Sequence, residues 1–123
     1  MAGDEDLVYD ETLPTHVRVE ACMRLIRDSM ARAAEFGEAY AAAKASYYGA
    51  KDRECFALLD AGHANTFIQT VIKGRPSASA ALRAYDMAEV EYKNANEAIQ
   101  AYKLVLRVLE AELEREWNDA RRM

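Results

Sequence analysis

The sequence predicts an all-α protein in which two long antiparallel helices are joined by a short helical insert. Ala, Glu, Arg and Leu dominate its 123 residues, and these residues favour helices over strands. Only two prolines and five glycines interrupt the chain. Apolar residues recur at spacings of three and four over two long stretches. We therefore expect a helical hairpin or bundle, and because a two-helix hairpin has little interior, we expect a homodimer.

The first 14 residues carry five acidic residues and neither lysine nor arginine. We expect a disordered, solubilising tail here; the alternative is an acidic lure for a basic partner surface. The rest of the chain holds equal numbers of acidic and basic residues, sixteen of each. This balance argues against a strongly basic nucleic-acid-binding protein. Residues 15–123 are predicted to form a single helical domain.

The first long helix is predicted over about residues 16–60, with Thr15 as its cap and Gly62 at its end. Gly37 and Gly49 lie inside it and leave open whether the helix is continuous or bent. Its apolar stripe is predicted to contain Val19, Met23, Ile26, Met30, Ala33, Phe36, Tyr40, Ala43, Tyr47, Ala50, Phe56 and Leu59.

The insert is predicted to contain a short helix over about residues 66–73. Asn65 is suited to cap it, and Gly74 followed by Pro76 is suited to end it. One apolar face is predicted to hold Phe67, Ile68, Val71 and Ile72. A lone strand at this point would have no other strand to pair with, so a helix is favoured.

The second long helix is predicted over about residues 78–119, capped by Ser77 or Ser79. Apolar residues follow a heptad-like spacing along it, and no glycine or proline occurs after Pro76. Tyrosine is frequent on the stripes of both helices, which suits either a helix–helix contact or an interface. The residues assigned to an oligomer interface are Tyr85, Tyr92, Ile99, Tyr102, Leu106 and Trp117.

The sequence contains no motif that predicts catalysis. HExxH, CxxC, the GxxxxGK[ST] phosphate loop, GxSxG and GxGxxG are all missing. His16 and His63 stand alone, so we expect no enzyme, no metal and no cofactor. Cys22 and Cys55 are too far apart on one helix to form a disulfide. With no apolar run of about 20 residues and no signal-peptide pattern, a soluble cytoplasmic protein without membrane contact is expected.

Positive charge gathers around the insert. Lys51, Arg53, Lys73 and Arg75 come together at one end of the predicted hairpin. Tyr48 and Thr66 are adjacent to them and could support binding. Single-strand binding requires aromatic side chains beside positive charge. These six residues are the predicted contacts for nucleic acid or for a partner protein.

Three stretches carry a resemblance to a known group: AYAAAKASYY, the VIKG step, and AEVEYKNANEAIQAYKLVLRVLEAELEREW. From about Tyr40 to Trp117 the chain resembles small helical proteins of temperate phages that are encoded among recombination and single-strand-binding genes. It is also broadly similar to coiled-coil recombination mediators of the UvsY type. The resemblance implies a two-helix body with a central insert, and it implies no catalytic residues. The acidic N-terminal region departs from this pattern.

Three functions are consistent with these features. The first is a non-enzymatic phage accessory protein, acting in the host cytoplasm, that binds single-stranded DNA or a phage or host DNA-processing protein. The second is an inhibitor of a host defence nuclease, of the anti-CRISPR type, acting through protein binding or acidic mimicry of nucleic acid. The third is a structural coiled-coil oligomer.

Overall fold

A computed structural model describes residues 3–122 of the chain. It contains α1 (Asp4–Tyr9), α2 (Thr15–Asp60), α3 (Asn65–Val71), a 3-10 turn (Ile72–Gly74) and α4 (Pro76–Arg122). The described residues include no strand, so the predicted all-α hairpin of two long helices and a short helical insert is confirmed. α2 is continuous through both internal glycines. No helix within residues 3–122 has the length and apolarity required to cross a membrane.

The contacts divide the chain into two compact units. One contains the described residues of Met1–Ala33 and Asn94–Met123, and the other contains Ala34–Lys93. The sequence predicts one domain from residue 15 onwards. α1 packs into the core of the first unit, and α3 packs into the core of the second.

The first unit has a core shared by three helices. Val8 from α1, Ala21 and Cys22 from α2, and Leu109 from α4 are almost completely buried together. The Cys22 thiol donates a hydrogen bond to the Tyr102 carbonyl oxygen at 3.4 Å. Burial raises the pKa of the Cys22 thiol, and the nearby charge of Glu110 raises it further. Cys22 and Cys55 are both free thiols, as predicted.

α1 corrects the expectation of a disordered tail. Acidic residues in its first turn interact favourably with the helix dipole, and the Asp6 carboxylate accepts a hydrogen bond from the Gly3 amide at 3.3 Å. Arg24 bonds Asp4 at 3.0 Å, and Arg18 Nε donates to the Val8 carbonyl oxygen at 2.8 Å. The segment is therefore ordered by burial of Val8 and by two arginines of α2.

The helix ends follow local chemistry with small differences from the prediction. Gly62 ends α2 as predicted: its φ of 88° lies in the left-handed region, and the His63 amide bonds the Leu58 carbonyl at 3.1 Å. α4 begins at Pro76, which suits a first helical position because proline lacks an N–H. α2 begins at Thr15 itself, and the Thr15 hydroxyl bonds Glu116 at 2.6 Å.

The predicted inward face of α2 needs two corrections in the first unit. Met23 and Met30, which the prediction placed on the apolar stripe, are 50% and 55% exposed. Ala21 and Cys22, which lie outside the predicted stripe, are buried instead, and Ala33 is buried as predicted. Ala21 and Cys22 face inward because Val8 of α1 and Leu109 of α4 pack against them, whereas the two methionines are exposed.

Candidate binding surface at the hairpin end

The second unit ends in a small core built by the insert. Leu58 near the end of α2 is buried with Ile68 of α3 and Ile72 of the 3-10 turn. Cys55 and Val71 pack against these three residues. Ile68 and Ile72 are four residues apart and so project from the same side of the insert. The insert is therefore longer than a minimal turn because it covers the apolar end of α2.

Glu54 fixes the start of α4 relative to the end of α2. Its carboxylate accepts a hydrogen bond from Arg75 Nε at 2.9 Å and from the Ser77 hydroxyl at 2.6 Å. These bonds from Ser77 and Arg75 lower the pKa of the Glu54 carboxyl. Ser77, predicted as a possible helix cap, instead lies in the first turn of α4 and donates to α2. Glu54 therefore links α2 directly to the residues at the start of α4.

The predicted basic residues do not form a single patch. Arg75 is neutralised by its ion pair with Glu54, so its charge is already used within the chain. Lys51 and Arg53 are two residues apart on the continuous α2 and therefore project about 200° from each other; Lys51 is partly buried and Arg53 is exposed. Lys73 is exposed. Within residues 3–122, Arg53 and Lys73 form no salt bridge, which leaves both charges available.

Two aromatic residues at this end are exposed, although the sequence pattern predicted that they would be buried. Phe56 is 66% exposed and Phe67 is 46% exposed, although both were placed on apolar stripes. Leu59 is also about half exposed. The imidazole of His63 stacks on the ring of Phe67, with centroids 4.7 Å apart and an interplanar angle of 26°. The side chains that face inward instead are Leu58, two residues after Phe56, and Ile68, one residue after Phe67.

We call the exposed aromatic, apolar and basic side chains at this end of the second unit the hairpin-end surface. It consists of Arg53, Phe56, Leu59, His63, Phe67 and Lys73. Periodicity did locate two faces on each helix but did not indicate which one the insert covers. The spacing could not have indicated it, because Phe67 and Val71 are four residues apart just as Ile68 and Ile72 are.

Two predicted site residues lie near this surface without a clear ligand-binding geometry. The Thr66 side chain is exposed, and its carbonyl oxygen accepts a hydrogen bond from the Thr70 hydroxyl at 2.9 Å. Tyr48 is about half exposed, and its ring lies 5.4 Å from that of Tyr47. Tyr48 is thus at the margin of a tyrosine cluster.

That cluster joins α2 to α4 inside the second unit. Tyr40 stacks on Tyr92 at 5.7 Å and contacts Tyr85 at 5.5 Å, while Tyr47 meets Tyr85 edge-on at 5.8 Å. The Tyr40 and Tyr85 hydroxyls are 3.4 Å apart, and this contact raises the pKa of Tyr85. The five residues of this tyrosine ladder are Tyr40, Tyr47, Tyr48, Tyr85 and Tyr92.

The ladder changes the interpretation of the predicted oligomer interface. Tyr85 and Tyr92 already pack against α2 of the same chain. Ile99 is buried, Leu106 packs against the core of the first unit, and Tyr102 is largely covered. Only Trp117, 64% exposed, keeps the accessibility that an interface residue needs. Five of the six assigned residues therefore stabilise the chain itself.

No group of three or more His, Cys, Asp or Glu side chains among the described residues has an arrangement that could hold a metal ion. No protein-family model matches the chain, and comparisons with curated proteins and with solved structures give no match. The hairpin-end surface contains two exposed aromatic rings, Phe56 and Phe67, and two exposed basic side chains, Arg53 and Lys73.

Proposed function

We propose that the chain is a non-enzymatic accessory protein of phage DNA recombination or replication, and that it binds single-stranded DNA through the hairpin-end surface. The observation that supports this is that Phe56 and Phe67 are exposed in the same segment, residues 53–73, as the exposed side chains of Arg53 and Lys73. Aromatic rings offer stacking platforms for unpaired bases, and nearby cations hold the phosphates. The group that the sequence resembles acts in the same processes.

The number of available charges sets the strength of the interaction. Two phosphate contacts on a single strand give a slope of about −1.4 for the logarithm of the binding constant against the logarithm of salt concentration. Each stacked base adds about 1–3 kcal/mol. Binding is therefore expected to be weak, to prefer single strands over duplex, and to depend more on the aromatic rings than on salt.

The proposal is tested by fluorescence anisotropy of a labelled single-stranded oligonucleotide and a duplex of equal length, at roughly 50 and 200 mM salt. Two variants remove the two kinds of contact: F56A/F67A and R53E/K73E. Their matched controls are M87A/V90A, which removes exposed apolar side chains elsewhere, and K103E/R107E, which makes the same change of charge in the first unit. We expect each test variant to weaken binding at least fivefold and each control to change it less than twofold.

Two results would contradict direct DNA binding. One is that the unaltered protein fails to bind single strands at low salt. The other is that K103E/R107E weakens binding as much as R53E/K73E, which would indicate a general charge effect. The hairpin-end surface would then be a contact for a DNA-processing protein, with the two phenylalanines as anchors.

The inhibitor alternative relies on free carboxylates that imitate phosphates. Several candidates already have partners within the chain: Asp4 bonds Arg24, Glu112 bonds Arg18 and Glu116 bonds Thr15. Such carboxylates are less available to a basic groove. For this reason we favour the DNA-binding function.

A further inference from the structure

The outward face of α4 in the first unit carries apolar residues that no described element covers. Leu104 and Val108 are each 60% exposed, and Ala101 and Ala111 are exposed as well. The core residue Leu109 projects about 140° away from Leu104 on this helix. The outward residues therefore form a second apolar stripe, separate from the one that packs against α1 and α2.

The stripe has a charge at each end, and its spacing is symmetric. Glu97 lies four residues before the first alanine, Arg115 lies four residues after the last, and both side chains are exposed. The successive spacings are four, three, four, three and four, so the arrangement reads the same in both directions apart from the sign of the terminal charge. We call this set the outer stripe: Glu97, Ala101, Leu104, Val108, Ala111 and Arg115.

We propose that the outer stripe binds the outer stripe of a second copy of this chain, in an antiparallel dimer with two-fold symmetry. In this register Leu104 meets Val108 of the second copy, and Ala101 meets its Ala111. Glu97 meets Arg115 of the second copy at both ends of the contact. Alternation of three and four is the spacing that lets two helices interdigitate along such a line, and the two-fold axis makes the contact self-complementary.

The charges select the antiparallel orientation. Parallel helices would bring Glu97 against Glu97 and Arg115 against Arg115, whereas antiparallel helices place opposite charges together at both ends. The small alanines allow the two helices to approach closely around the larger central pair. The outer stripe thus specifies the partner, which is a second copy, as well as its direction.

The dimer is expected to be weak. Four apolar residues per copy correspond to an interface below about 1,200 Å², the size of transient contacts. Arg107 lies beside the stripe near the two-fold axis, so two like charges approach each other and weaken association further. We expect a dissociation constant of about 10 μM to 1 mM.

Sedimentation equilibrium over roughly this concentration range tests the proposal. The variant L104Q/V108Q should weaken dimerisation at least tenfold, because both side chains are exposed in the single chain and glutamine is well tolerated in helices. M87Q/V90Q is the matched control, since it removes two equally exposed apolar residues from the same helix, and it should have no effect. Circular dichroism confirms that each variant retains its helix content.

Reversal of the charges tests the direction. E97R and R115E alone should each weaken the dimer several-fold, since each places like charges together, and E97R/R115E should restore it. In a parallel dimer the double variant would leave like charges paired. A protein that stays monomeric throughout the range, a dimer that tolerates L104Q/V108Q, or failure of the double variant to restore association would each overturn the proposal.

A disulfide gives an independent measurement of the register. In a C55S background, oxidation of A101C/A111C should link two copies, because these positions face each other across the axis. A101C alone should not, because the two copies of residue 101 are offset by ten residues, about 15 Å along the helix, which is beyond the reach of a disulfide. Linking of A101C alone with equal efficiency would contradict the register. DNA binding by the second unit is measured separately and does not depend on this result.

Discussion

Gly37 and Gly49 both lie inside α2 but have different neighbours. A Cβ atom at residue 37 would stand 3.1 Å from Cε1 of Tyr92, whereas one at residue 49 would meet only the flexible end of Arg53 at 3.5 Å. Tyr92 is held in place by stacking on Tyr40. Gly37 therefore allows the tyrosine ladder to approach α2 closely, and Gly49 has no comparable role in packing.

Alanine substitution at the two glycines should separate these roles. G49A is expected to raise the free energy of unfolding by about 1 kcal/mol, the ordinary helix-propensity gain. G37A makes the same gain but displaces the Tyr92 ring, at a cost of about 0.5–1.5 kcal/mol, so little or no net stabilisation is expected. Urea denaturation of both variants measures the difference; equal stabilisation would contradict the close approach of Tyr92.

At the scale of elements, α1 is the smallest helix but completes the core of the first unit. Val8 is fully buried against Cys22 and Leu109, and two arginines of α2 bond the segment. A six-residue helix has no stability of its own. Its order therefore depends on docking, and the Cys22 thiol beneath it reports whether α1 is in place.

The substitution V8A should increase the fraction of molecules in which α1 has detached from the core of the first unit. Loss of buried methyl groups costs about 2 kcal/mol, and because α1 can open locally the modification rate of Cys22 by a thiol reagent should rise roughly 10- to 30-fold. Cys55 in the second unit serves as the internal reference, and a C22S variant assigns the slow phase. If the rate at Cys22 is unchanged while the overall stability falls, α1 does not open independently.

At the scale of the whole molecule, two carboxylates link stability to pH, one in each unit. Hydrogen bonds from Thr12 lower the pKa of Asp10 below its ordinary 3.8, and bonds from Ser77 and Arg75 lower that of Glu54 below its ordinary 4.5. A carboxyl group whose pKa is lower in the folded state than in the unfolded state stabilises the fold at any pH above its unfolded-state pKa. This stabilisation is lost as the pH falls through the folded value.

The chain should therefore unfold at lower temperature as the pH falls below about 4.5. E54Q should lower the melting temperature near neutral pH, because the neutral amide loses the charge-assisted bonds to Arg75 and Ser77. The difference between E54Q and the unaltered protein should shrink as the pH falls through the lowered pKa of Glu54. Thermal unfolding followed by circular dichroism measures this; a difference that is constant with pH would contradict the role of the Glu54 charge.

Features of the fold that depend on neighbouring residues in the sequence were predictable. Gly62 and Pro76 mark the end of α2 and the start of α4 because each constrains its own backbone dihedrals. The spacing of apolar residues predicted two long helices. The candidate site was predictable only in location: the end around the insert was identified, but Phe56 and Phe67 were assigned to the core and Arg75 was counted as available.

The sequence by itself determined the two long helices, the short helix between them and their pairing as a hairpin, because backbone conformation follows from local propensity and periodicity. Only the tertiary structure decided which face of each helix is buried. Leu58 faces inward and Phe56 outward because α3 approaches from one side, and α1 is ordered because a groove exists for Val8. Burial and ion pairing depend on residues that are distant in sequence. A local pattern contains no information about which of two similar helix faces those distant residues will cover.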